Sequence, residues 1–84
     1  MSRNRIHCVT INETRFEKRE DTIKAVVRTS QIGDEFAVYV EVYSRPRDLS
    51  LIRKSCDSIE SAVLSAKEYT ALLIEEGFKI TSIN

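Results

Sequence analysis

Chemistry in a short chain begins with its few reactive side chains, and here the histidine and cysteine set is His7, Cys8 and Cys56. His7 and Cys8 are neighbours in a stretch that reads as a strand, so they point to opposite faces and do not make a base and nucleophile pair. Cys56 with His7 is the remaining pairing, and no third group is in view to orient the imidazole. A zinc site draws three or four ligands from Cys, His and carboxylates, which two distant clusters this small do not supply. The cysteines form no CxxC, and the expected state is two reduced, partly buried thiols rather than a disulfide. Gly33 and Gly77 are the only glycines, too few for a glycine-rich phosphate loop. Carboxylates recur as Glu60 with Glu76 and Glu68 with Glu75, on the side of a helix expected to face solvent. The expectation is therefore a non-enzyme with no catalytic, cofactor or metal residues.

The other concentration of chemistry is YSRPRDLSLIRK, residues 43–54, which holds the only proline and four basic side chains, Arg45, Arg47, Arg53 and Lys54, against one acidic residue, Asp48. Residues 57–76 are the reverse, with Asp57, Glu60, Glu68, Glu75 and Glu76 against Lys67. The whole chain carries thirteen charges of each sign. A domain built for nucleic acid is usually basic overall, and only a local patch of that kind is available here.

These groups have to be positioned by a small fold. Eighty-four residues make one domain, because a chain this short encloses a single core. A charged fraction of 31% with two glycines and one proline fits an ordered globular chain, not a low-complexity one. No apolar run approaches the roughly 18 residues of a membrane span, and the first residues lack a segment of signal-peptide length. A cytoplasmic protein with no membrane partner is the expectation.

Residues 57–77 carry Ile59, Ala62, Val63, Ala66, Tyr69, Thr70, Leu73 and Ile74 at three- and four-residue steps, which predicts one apolar helix face. Asp57 and Glu60 have the spacing of a capping box, and Gly77 suits the left-handed residue that ends a helix. EFAVYVEVY, residues 35–43, alternates with period two. It sends Phe36, Val38, Val40 and Val42 to one face and Ala37, Tyr39, Glu41 and Tyr43 to the other. TIKAVVRT, residues 22–29, alternates likewise with Ile23, Ala25 and Val27 inward, and Gly33-Asp34 between the two runs predicts a hairpin.

In the basic stretch, Arg45-Pro46-Arg47-Asp48 reads as a turn and residues 49–54 as the next strand. IHCVTI, residues 6–11, reads as a strand and FKITSI after Gly77 as a last short one. NETRFEKRED, residues 12–21, is mostly charged and reads as a loop or frayed ribbon anchored by Phe16; residues 1–5 are also expected to be flexible. The sum is an α+β domain in the order β-β-β-β-α-β, a mostly antiparallel sheet with one helix on one face.

Two surfaces follow. On the outer side of the helix Leu64, Glu68, Ala71 and Leu72 offer a seat for another protein, and Tyr39 and Tyr43 on the open sheet face extend the protein-binding candidates. The same tyrosines beside Lys24 and Arg28, with Arg45, Arg47, Arg53 and Lys54, form the alternative: aromatics for stacking bases and cations for phosphates. The preferred function is a non-enzymatic accessory or regulatory module that binds a protein partner or forms a homodimer. Nucleic-acid binding is the second reading.

Overall fold

The computed structural model describes residues 8–18, 22–44 and 48–84. Alternation builds the centre of the sheet. Strands β2 (Ile23–Ile32) and β3 (Glu35–Ser44) pair antiparallel over their whole length. A two-residue turn joins them, with Gly33 at φ 62°, a conformation that glycine adopts without steric cost. Ile23, Ala25, Val27, Phe36, Val38, Val40 and Val42 all face the core side, as their spacing predicts. Strand β4 (Asp48–Cys56) pairs with β3 without a break from Ser44↔Asp48 to Phe36↔Cys56. Residues 45–47, the expected turn, lie outside the described residues, as do residues 1–7.

Strand β1 differs from the expectation. It runs Cys8–Lys18, so residues 12–18 are strand and not a loop or frayed ribbon. Its pairing with β2 continues from Glu13↔Arg28 through Glu17↔Lys24, after a bulge at Ile11. Opposite charges sit directly across from each other there, which stabilises the ladder without apolar side chains. Phe16, 1% exposed, carries the apolar side of this segment. β1 is also interior, because β5 (Lys79–Ile83) returns antiparallel along its other edge. The order across the sheet is β4-β3-β2-β1-β5, and the whole is a five-stranded antiparallel sheet with one helix.

Strands β4 and β5 lie at opposite edges, so the single helix α1 (Ile59–Glu75) carries the chain from one edge back to the other. Its start is set by Ser58, whose Oγ accepts from the Ser61 amide at 3.1 Å. The cap is therefore Ser58 and not Asp57, a shift of one residue that removes Glu60 from the reciprocal position of a capping box. At the other end Gly77 has φ 103°. Its amide donates to the Ile74 carbonyl at 3.0 Å, and the Phe78 amide donates to the Leu73 carbonyl at 3.0 Å. That is a Schellman closure, completed by packing of Phe78 and Leu73 in the core. The core joins Phe16, Ala25, Val27, Val38, Val40, Cys56, Ala62, Leu73 and Phe78. Thr29 and Ser30, on opposite faces of β2, are also buried, and their hydroxyls have no hydrogen-bond partner among the described residues.

Gly77→Ala places a Cβ on a positive-φ backbone and is expected to cost about 1–2 kcal/mol, a fall of roughly 4–8 °C in Tm per kcal/mol for a domain of this size. Thermal unfolding by circular dichroism measures it; an unchanged Tm would contradict the assigned helix stop.

Candidate functional site

The open face of the sheet collects the odd positions of β3 and their cross-strand neighbours: Tyr39 with Arg28 and Arg53, Glu41 with Val26 and Leu51, Tyr43 with Lys24 and Leu49. Four of the nucleic-acid candidates, Lys24, Arg28, Tyr39 and Tyr43, thus sit together with Arg53. Lys54 does not join them. It pairs with Val38, which puts it on the helix side. Arg45 and Arg47 lie outside the described residues.

Acidic residues from β1 and β3 occupy the same face. Glu13 holds Arg15 at 2.6 Å and Arg28 at 3.5 Å, and Arg28 reaches Glu41 at 3.7 Å. Tyr43 donates its hydroxyl hydrogen bond to Glu41 at 2.6 Å. That hydrogen bond, with desolvation and the nearby carboxylate charge, raises the Tyr43 pKa above its ordinary 10, while Arg28 and Arg15 pull the other way. The Arg53 guanidinium lies over the Tyr39 ring at 5.8 Å from its centre, its Nε donating to the Tyr39 hydroxyl at 3.3 Å. Of the cations expected to meet phosphates, Arg28 is already answered by two carboxylates, Glu13 on β1 and Glu41 on β3; the strand character of β1 was concealed by its charged sequence.

The protein-binding candidates divide between two sides of the molecule. Tyr39 and Tyr43 are on the open face, whereas Leu64, Glu68, Ala71 and Leu72 are exposed on the helix. Leu64 edges a shallow hollow with Ile59, Glu60, Val63 and Lys67. Ala71 lines a second feature. Along the flank of α1 that overhangs β1 and β5 runs an apolar groove of about 440 Å³, walled by Val63, Ala66, Thr70 and Ile74 and floored by Val27, Ile80 and Ile83. Lys67 is its one charged lining residue.

Sequence periodicity assigns Val63, Thr70 and Ile74 to the core, yet Ile74 is exposed, as are Ile80 and Ile83. The reason lies in where the helix rests. α1 packs on β2, β3 and β4, so only the half of its apolar arc around Ala62, Ser65 and Leu73 is buried. The other half has no sheet-covering partner. The width of the arc was the available signal, since eight apolar or small positions exceed what one flank of a sheet can bury.

Cys8 is exposed and Cys56 buried, and they are not linked; the expectation of two partly buried thiols fails for Cys8. They sit on β1 and β4, three strand spacings apart, or about 14 Å, beyond disulfide reach. Among the described residues no three His, Cys, Asp or Glu side chains converge as metal ligands, and no helix is long and apolar enough to cross a membrane.

No protein-family model matches the chain, and comparison with curated proteins and with solved structures returns no match.

With Tyr39→Phe and Tyr69→Phe removing the other phenols, Tyr43 is expected to titrate above 10 in ultraviolet absorbance. A raised folded value means its share of stability is present below the ordinary pKa and is lost as pH rises through the raised one. Glu41→Ala should return the midpoint toward 10; a parent midpoint at or below 10 would contradict the hydrogen-bond geometry.

Proposed function

We propose that this chain is a non-enzymatic interaction module that works by seating another protein on its apolar surface. The observation that carries the reading is the groove beside α1, where Ile74 on the wall and Ile80 and Ile83 on the floor remain exposed. One helix is narrower than a five-stranded sheet, and the groove runs parallel to a helix along Val63 to Ile74. The occupant that fits is an amphipathic helix of a partner protein. Its apolar stripe would meet the isoleucines and an acidic flank would meet Lys67. We place the module in the cytoplasm, where an exposed free thiol such as Cys8 stays reduced.

Nucleic-acid binding has less support. Arg28 is already shared between Glu13 and Glu41, and Lys54 projects from the other side of the sheet.

Selection of helix-forming peptides displayed on phage tests the reading. Enriched sequences are expected to carry apolar residues at three- and four-residue spacing, and Ile74→Glu combined with Ile80→Glu should weaken them about 10-fold or more. Peptides that bind the double variant equally well would overturn the groove assignment.

A further inference from the structure

Strand β4 has a composition that does not suit its position. Among the described residues it is an edge strand, paired with β3 alone, and natural edges are usually protected by lysine, proline, bulges or shortness. The opposite edge is short: β5 has five residues and a register break beside Arg15. β4 has nine residues and an unbroken ladder. Leu49, Leu51 and Ile52 are 59%, 57% and 48% exposed, and no charge interrupts Leu49–Ile52. Leu49 and Leu51 lie on the open face, and Ile52, opposite Val40, on the helix face. A long, flat edge whose exposed side chains are apolar is a template for pairing with another strand. Arg53, the nearest described cation on the open face, is drawn back over Tyr39 and does not shield the leucines.

Backbone phase shows what the edge can accept. The two-residue turn closes on Ile32↔Glu35, which makes that pair hydrogen-bonded and sets the alternation for the rest of the ladder. Phe36, Val38, Val40 and Val42 then bond toward β4, so Leu49, Leu51, Arg53 and Ser55 turn their amides and carbonyls outward. A second β4 can pair with these groups about a two-fold axis. Centring the axis on Leu51 sets Leu51 against its own copy, Leu49 against Arg53 and Ser50 against Ile52. This register brings the leucines of both copies together and opposes no two like charges. Centring on Arg53 would oppose two like charges.

We infer that the occupant of the β4 edge is a second copy of this chain, joined antiparallel about Leu51 into one continuous sheet with five strands from each copy. Equivalent faces stay on the same side of that sheet, so the leucines merge into one strip on the open face. Both helices share the other face, and the two grooves lie at the far ends, unobstructed. The inference rests on the interaction-module reading only in that both invoke apolar surface left open, and it uses a different surface.

Light scattering after size exclusion tests it, with far-UV circular dichroism to verify the fold of each variant. Wild type is expected at twice the chain mass, and Leu51→Lys and Leu51→Glu each at the chain mass. An equimolar mixture of the two variants should return to twice the chain mass, because position 51 faces itself. Ile74→Glu with Ile80→Glu should remain dimeric. A monomeric wild type, a dimeric Leu51→Lys, or no recovery on mixing would overturn the inference. Loss of the dimer in the groove variant alone would move self-association to the groove and overturn it equally, while the peptide selection reports on the groove reading separately.

Discussion

A single helix cannot cover a five-stranded sheet. The outer strand axes of a five-stranded sheet, four spacings apart, stand about 19 Å from each other, and a helix with its side chains is about 10–12 Å across. The core therefore forms where α1 lies, over β2, β3 and β4, and the β1 and β5 side is left with isoleucines facing a groove. The groove reading follows from that mismatch in width. Hydrophobic burial is strong enough to fold the covered half, and the uncovered half retains apolar surface of the kind that protein interfaces bury.

Connectivity makes the mismatch unavoidable. β4 and β5 occupy opposite edges, and α1 is the only segment between them. Its end is fixed by the Gly77 closure and by Phe78 reaching the core, where Lys18 from the end of β1 lies over the Phe78 ring at 5.1 Å. β1 is held by β2 on one side and β5 on the other, with Glu13 exchanging both backbone hydrogen bonds with Asn84. Its open-face charges then become structural. Glu13, Arg15, Arg28 and Glu41 form one chain of ion pairs across three strands, which occupies Arg28 on the tyrosine-bearing face.

Much of this was legible in advance where a residue pattern had one physical meaning. Period-two alternation in β2 and β3 identified both faces, Gly33 the turn, and Gly77 the helix stop. Three features escaped for separable reasons. Residues 12–18 alternate in charge, not in hydrophobicity, so the strand became readable only with the opposing charges of β2 in place. Ser58 displaced Asp57 as the cap because both can accept from the first turn, and the backbone decides between adjacent residues. The groove escaped because periodicity identifies the apolar side of a helix but not how far the sheet beneath it extends. Leu64 and Leu72 are visible in the sequence as exposed leucines, whereas the exposure of Leu49, Leu51 and Ile52 depends on β4 lying at an edge, which the order of the strands in the chain does not specify.

The central claim is that apolar protein contact, and not charge, is what this molecule offers to a partner. Light scattering after size exclusion at low and at high salt, each with and without a mixed pool of short single- and double-stranded nucleic acid, tests it most directly. The account predicts one associated species whose mass is the same at both salt concentrations and is unaffected by nucleic acid, because burial of apolar area is not screened by salt. A monomer that co-elutes with nucleic acid at low salt and releases it at high salt would contradict it.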